Sequence, residues 1–395
     1  MKILFLSRWF PYPVNNGSKL RIFGLLRGLA LYHDVTLLSF AEQLDVRPDA
    51  PEIRSLCSEA YVVPWREFDP QSWRARFGFL NLKPRSIVDT FSKEMATNIT
   101  QLLRDHDYDL VIASQLSMAA YRPYFKKIPA LFEEVEIGLS SDEAFLSSVL
   151  KKSIRHAFTW FKLRRYLSHL LDSFQACTVV SEQERQLFVR NFPKYEKVVD
   201  VIPNCLDMDE YKNIRVEKKQ NAMIFTGSFK YHTNYEAMVW FIGNVFPLIL
   251  EQLPDTKLII TGDHADLSLP SMKNVMLAGH VDDIKTLIAS CAVSIAPLLS
   301  GGGTRLKILE AMALKTPVVA TSKGAEGLDV IDGKHLFLAN KPVEFAQCVV
   351  RLLDDEKLQQ RLAKNASQLI REKYNLGKIL SDYARLINTI VNDVN

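Results

Sequence analysis

Short β-branched and aromatic runs alternate along the whole chain with longer segments whose apolar residues recur at helical spacing. In the first half the runs are Ile3–Ser7, Val35–Phe40, Ala60–Pro64, Leu110–Ser114, Ala130–Val135, Cys177–Ser181 and Val198–Ile202. In the second half they are Met223–Gly227, Lys257–Gly262, Asn274–Gly279, Val293–Leu298, Pro317–Thr321 and His335–Ala339. Apolar runs separated by helix-length stretches predict parallel strands covered on both faces by crossover helices. They are too many for one doubly wound sheet, so the pattern predicts an α/β chain with two Rossmann-like domains. The break falls in "VIPNCLDMDEYKNI", where Pro203 and Asn204 end a strand and a polar stretch runs to Gln220. The expected domains are 1–203 and 204–375. A last helical segment, 376–395, follows all the strands and is expected to cross back to the first domain.

One connection carries chemistry. After Val293–Leu298 the chain reads "SGGGTRLKILEAMALKTPVVAT": a glycine turn, a helical segment expected from about Thr304, then another strand. A helix start leaves backbone N–H groups without intrahelical partners. Together with the helix dipole they favour an anion such as phosphate, by roughly 0.3–2 kcal/mol for the dipole alone. Arg305 and Lys307 add positive charge at the end where cations are unfavourable, which makes sense if a multiply charged anion binds there. Arg305 is then expected to add nothing to the stability of the free protein. Glu310, near the middle of the helix, can accept from vicinal hydroxyls such as those of a ribose. The plainer alternative is a glycine turn with solvated charges and a Lys307–Glu310 pair at i,i+3 spacing.

Composition narrows the classes. The 395 residues are 48% apolar and 24% charged, ordinary for a soluble globular protein, and the net charge of +4 is too weak to suggest a nucleic-acid partner. Five scattered cysteines form no Cys-x-x-Cys and no cluster of zinc spacing, which fits a reducing cytoplasm. In "MKILFLSRWF" the apolar stretch is only Ile3–Leu6, too short for a secretion leader. The longest mostly apolar run, Ala237–Leu250, is too short to span a bilayer. A cytoplasmic protein is expected, touching the inner face of the membrane at most.

Several stretches are familiar in the right order. "GGGTRLKILEAMALKTPVVATSKGAEGL" resembles the nucleotide-sugar site of retaining glycosyltransferases of the GT-B fold, the large fourth family (glycosyl transferases group 1). "FLSRWFPYPVNNGSKLRIFGLLRGLALYHDVTLLSF" resembles that family's first strand, glycine loop, first helix and second strand. "VIPNCLD" resembles its interdomain Ile-Pro-Asn-Gly-x-Asp segment, with Cys205 in place of glycine. "IFTGSFKYHTNYEAMVWF" resembles the opening of its donor domain, and "LAGHVDDIKTLIASCAVSIAPLLSGGGTRLKILEAMA" its nucleotide-binding core. The resemblance implies two Rossmann-like doubly wound domains facing across a cleft. It also implies a nucleotide diphosphate sugar as donor, a glycan or lipid-linked acceptor, no metal or other cofactor, and transfer with retention.

Carried over residue by residue, the resemblance assigns Gly17 and Gly227 to backbone approach near the donor. It gives His280 and Val281 backbone contact with the base, the amides around Gly302, Gly303, Thr304 and Leu306 contact with phosphate and sugar, and Glu310 the ribose. Three departures qualify it. Where many members carry a first glutamate that reaches the donor sugar, this chain has Gly302. Where they grip the diphosphate with an Arg and a Lys, it has neutral Ser228 and Asn234, so Arg305 and Lys307 are the expected catalytic cations, helped by Lys230. Where they carry a histidine after the fourth strand, it has Ser114 and Gln115.

Other features stay open at this point. Gln115 and the carboxylates Glu134 and Glu136 in "LFEEVEIGLSSDEA" are candidate acceptor ligands, or part of a solvated acidic loop. The pairs Asp107/Asp109 and Asp207/Asp209 have metal-binding form but lie away from the glycine turn, so no metal site is expected. Ala144–Leu171 has no acid among Lys151, Lys152, Arg155, Lys162, Arg164 and Arg165, with Phe158, Trp160 and Phe161 interspersed. It suits a membrane-facing segment and a helix packed in its domain equally well. Alternatives to a transferase are a dinucleotide-dependent oxidoreductase, a nucleotide-sugar 2-epimerase, and a binding protein of the same architecture with reduced catalysis. The oxidoreductase lacks the third glycine, which is Leu306 here, and an acid closing the next strand.

Overall fold

The computed structural model describes residues 1–42, 46–136, 150–302 and 305–392, and of 150–157 the backbone alone. Every β-branched and aromatic run named above forms a strand, while the longer apolar run Ala237–Leu250 is helical. The chain divides into two units, Met1–Pro203 with Ile379–Asn395, and Asn204–Lys378.

In the first unit the strands are β1 (Lys2–Ser7), β2 (Asp34–Ala41), β3 (Glu59–Pro64), β4 (Leu110–Ser114), β5 (Ala130–Glu133), β6 (Ala176–Val179) and β7 (Val199–Val201). Among the described residues they pair in parallel in the order β3-β2-β1-β4-β5-β6-β7. Strands β4, β5 and β6 are buried throughout, as a sheet covered on both faces requires, whereas edge strand β3 is buried only in part. The first helix, Gly17–Leu29, starts on Asn16, whose side chain accepts from the Lys19 amide at 2.9 Å. The last helix, Leu376–Asn392, buries Ile379, Tyr383, Ile387 and Ile390 along one face. It packs closely on the first helix: a Cβ on Gly28 would lie 2.1 Å from Leu380 Cδ2. Helix Leu150–Leu171 sends Tyr166, Leu167, Leu170 and Leu171 into the core and leaves Phe158 and Phe161 exposed. Its packed and exposed faces therefore both carry apolar side chains; the side chains of 150–157 lie outside the described residues.

In the second unit the strands are β8 (Lys219–Thr226), β9 (Lys257–Thr261), β10 (Val275–Gly279), β11 (Cys291–Ala296), β12 (Val318–Ala320) and β13 (Phe337–Leu338). Among the described residues they are parallel in the order β10-β9-β8-β11-β12-β13. The edge strand β13 keeps two residues of the longer run His335–Ala339, having a partner on one side only. In each sheet the first strand of the unit lies inside the order, between β2 and β4 for β1 and between β9 and β11 for β8. Such a reversal of strand order opens a crevice outside the carboxyl ends of the strands.

Candidate functional site

In the second unit the crevice is built from the ends of β8, β9 and β11. Gly227, just past β8, has φ +155°, and its amide donates to Thr261 O at 3.1 Å. A Cβ there would meet Asn234 Nδ2 at 2.8 Å and Lys307 Nζ at 3.0 Å, so the position has room only for backbone. Gly262, after β9, has φ +104°, and a Cβ on it would lie 2.7 Å from the Gly227 carbonyl carbon.

Lys307 comes from the helix Leu306–Ala313, which begins two residues later than the sequence suggests, with Arg305 at its N-cap. Its ammonium donates to Asn234 Oδ1 at 2.9 Å and lies 4.1 Å from the centre of the Phe225 ring. Asn234 in turn donates from Nδ2 to Ser228 O at 2.8 Å. Burial, with the charge of Arg305 added, pushes the Lys307 ammonium down to about 7, against a smaller opposing pull from Glu310. A cation from a helix 73 residues further on thus sits beside position 234. Glu310, one turn along the same helix, accepts from Tyr211 Oη at 3.3 Å, and burial raises its carboxyl. The Lys285 ammonium lies 4.4 Å from the Tyr211 ring centre and 2.6 Å from Glu210 Oε2. Tyr211, Glu210 and Lys285 had no motif to mark them.

Arg305 has a different part from the one expected. It is 4% exposed; its Nη1 donates to Gly302 O at 2.9 Å, and its Nη2 donates to Gly301 O and Lys323 O, each at 2.9 Å. Glu326 stands 3.6 Å from the same Nη2. The guanidinium fastens the loop after β11 to the loop after β12, where Thr321 Oγ1 also donates to Leu298 O. This corrects the expectation of a cation held against stability: its acceptors are the loops' own carbonyls, and Glu326 is the opposite charge beside it. Gly301 takes the left-handed conformation, φ +87°, and a Cβ on it would meet Tyr231 Oη at 2.6 Å. Gly302 contributes its carbonyl to Arg305, and Leu306 is buried as the first helical residue. Gly303 and Thr304 lie outside the described residues.

The remaining sequence candidates are more peripheral. Lys230 is exposed, with its ammonium 2.7 Å from Asp263 Oδ2. His280 is exposed beside Asp282 at 3.7 Å, and Val281 is half-buried after Gly279, which has φ +65°. Gly17 is the exposed first residue of its helix and needs no left-handed backbone. Asp109 accepts from the Lys2 amide at 2.7 Å, while Asp207 caps Asp209 at 3.0 Å. Among the described residues no three His, Cys, Asp or Glu side chains are grouped to hold a metal.

The first unit gathers a second polar cluster at the ends of β4 and β5. Two non-glycine residues there are left-handed, Gln115 at φ +67° and Glu134 at φ +59°, and Gln115 Nε2 donates to Glu134 Oε2 at 3.0 Å. Backbone in that region costs on the order of 1–3 kcal/mol per residue and persists where surroundings over-determine it. Here Thr178 does so: its hydroxyl accepts from the Glu134 amide at 2.9 Å and its carbonyl from Val135 at 2.7 Å. Arg21 Nε donates to Glu133 Oε1 at 2.8 Å and its Nη1 to Ile202 O at 2.9 Å, while Ser114 Oγ donates to Glu133 Oε2 at 2.9 Å. Burial pushes the Glu134 carboxyl up to about 8, with Arg21 opposing and Glu133 and Glu136 reinforcing. Glu136 itself is exposed.

Residues 220–355 match the family Glycosyl transferases group 1. A 44.6 kDa uncharacterised protein in the cps region of Klebsiella pneumoniae is 23% identical over 96% of this chain and 98% of its own length. An uncharacterised glycosyltransferase of Methanocaldococcus jannaschii is 24% identical over 60% of this chain and 68% of its own. The crystal structure of Anabaena Alr3699/HepE in complex with UDP-glucose superposes with a TM-score of 0.69 at 16% identity, covering 98% of this chain and all of that one (100%). At that identity the likeness speaks for the fold, which is GT-B.

Proposed function

We propose that this chain is a retaining glycosyltransferase of the hexosyltransferase type. It would move a sugar from a nucleotide diphosphate sugar to a glycan or lipid-linked acceptor, in the making of cell-surface polysaccharide or glycoconjugate. The observation that carries the proposal is the nest of Gly227, Asn234 and Lys307 at the strand-order reversal of the second unit. Bare backbone and a buried ammonium meet there, with the Lys307 Nζ 2.9 Å from Asn234 Oδ1. A diphosphate answers both, since it restores the charge that burial makes costly for Lys307.

In this scheme the second unit binds the donor. Lys307 stabilises the diphosphate and Glu310 accepts from the ribose hydroxyls. Arg305 acts as a positioning residue that fixes the Gly301–Gly302 carbonyls. The first unit would receive the acceptor at Gln115, Glu134 and Glu136. As the bond from the anomeric carbon to the phosphate oxygen breaks, the acceptor oxygen bonds to the same face of that carbon. The acceptor's proton passes to the leaving phosphate oxygen, and Lys307 answers the charge that develops there. The neighbour bound to UDP-glucose makes that donor the first to try.

The test is a panel of nucleotide diphosphate sugars, scored by the rise in melting temperature of the whole protein. At least one is expected to raise it, and Glu310→Ala to weaken that ligand by about ten- to a hundred-fold, as loss of a charge-assisted hydrogen bond implies. A panel in which no nucleotide sugar stabilises the protein and a dinucleotide does would overturn the proposal.

A further inference from the structure

Besides its polar cluster, the first unit exposes an unusual concentration of apolar side chains. Trp73, Phe77 and Phe79 are exposed, and Leu80 and Leu82 stand 88% and 71% open to solvent. Beside them, Phe158 and Phe161 project from the outer face of helix Leu150–Leu171. The two stretches are one surface, because Lys162 Nζ donates to Phe79 O at 2.8 Å and to Gly78 O at 3.2 Å. Arg85 lays its guanidinium over the Phe79 ring, 3.9 Å from the centroid. Scattered exposed apolar residues need no explanation, whereas a joined patch of this kind marks a contact surface.

The charge around the patch has one sign. From Pro70 to Val88 the chain carries Arg74, Arg76, Lys83 and Arg85 and no acid, and from Phe158 to Leu171 it carries Lys162, Arg164 and Arg165 and no acid. Asp89 is fully buried, its carboxylate accepting from Ser72 at 2.5 Å and from the Asp69 amide at 2.9 Å. Glu67 and Asp69, both exposed, precede the first of these stretches in sequence. A chain with a net charge of only +4 thus places seven Lys and Arg in the two stretches of this patch, which holds the most exposed leucines among the described residues. A second copy of this patch would bring like charges together, which disfavours self-association through it. Among the described residues no helix is long and apolar enough to cross a membrane, so contact through this face is peripheral.

We propose that the first unit docks on an anionic phospholipid bilayer through this patch. Trp73, Phe77, Leu80 and Leu82 enter the headgroup boundary, and Arg76, Lys83 and Arg165 meet the lipid phosphates. The proposal does not depend on what the second unit binds.

The whole protein would be floated with vesicles of phosphatidylcholine alone and with vesicles of phosphatidylcholine and phosphatidylglycerol in equal parts. Binding is expected to be at least about tenfold stronger to the anionic vesicles and to fall as salt is raised. The double variants Leu80→Ser/Leu82→Ser and Arg76→Glu/Lys83→Glu should each lose about tenfold or more in partitioning. Their sites are exposed, so both should melt as the parent does. Equal binding to the two vesicle types, or parent-like binding by both variants, overturns the proposal. So does a dimer seen by light scattering that the leucine variant abolishes, which would make a second copy the occupant.

Discussion

Replacing Arg305 by alanine should unfold the second unit far earlier than its sequence position suggests. The guanidinium makes three hydrogen bonds of 2.9 Å to the carbonyls of Gly301, Gly302 and Lys323, and faces Glu326 at 3.6 Å. Hydrogen bonds to a charged group contribute about 1.5–3 kcal/mol each, but these share one donor group and do not add. Removing one partner from a buried ionic network costs about 3–5 kcal/mol in comparable cases, because the groups left behind are desolvated and unmatched. For a unit the size of Asn204–Lys378, each kcal/mol lowers the melting temperature by about 2–4 °C, so the expected drop is about 6–20 °C. Arg305→Lys, which keeps the charge but loses the planar fork, should recover part of it. Differential scanning calorimetry of the free protein reads the effect. An Arg305→Ala variant that melts within about 1 °C of the parent yet transfers sugar slowly would refute the reasoning, because the guanidinium would then be facing substrate rather than tying loops.

Three further outcomes follow from the same geometry. Since the Lys307 ammonium lies at about 7 in the free protein and a bound diphosphate raises it, donor affinity should be fullest below that value. It should fall as pH rises above it, by at most about tenfold per pH unit; titration calorimetry should show the slope lost in Lys307→Met. Gly227→Ala places a methyl 2.8 Å from Asn234 Nδ2 and 3.0 Å from Lys307 Nζ. It should therefore weaken donor binding by displacing both, and unchanged binding would mean the nest is not used. Glu134 is held at about 8, above its ordinary carboxyl range, so the stability tied to its protonated form is present at low pH and lost as pH rises towards 8. In melting curves against pH, Glu134→Gln should remove that decline; a decline of unchanged size would assign it to other groups.

Inner strands such as Leu110–Ser114 and Cys291–Ala296 were legible because burial on both faces leaves continuous apolar runs, whereas Val199–Val201, with Asp200 exposed, and Phe337–Leu338 are only partly buried and read more weakly. The glycine turn and the helix that follows it were legible through local order. What the sequence hid depends on side chains meeting across long separations. Lys307 reaches Asn234 over 73 positions and Tyr211 reaches Glu310 over 99, and no periodicity records such a meeting. Arg305 was misjudged because a cation at a helix start was weighed against the dipole alone. The carbonyls of the preceding turn, which fold back on it, are not visible in one dimension. The left-handed backbone of Gln115 and Glu134 was equally hidden, since neither residue type signals it.

The close packing of Gly28 against Leu380 has a consequence for the order in which the protein is made. The first unit is begun by residue 1 and finished only from Ile379 onward, with the whole second unit inserted between. At about 5–20 residues per second, synthesis leaves the nascent first unit without its last helix for roughly 10–35 s after Pro203 emerges. During that interval the face of the first helix around Gly28 is uncovered, and the Arg21–Glu133 pair lacks the Tyr383 ring that later closes beside it. The second unit has no such debt and can complete itself first, although it is translated later. Damage to the final helix, remote in sequence from β1 and β4, would accordingly be felt where the chain began.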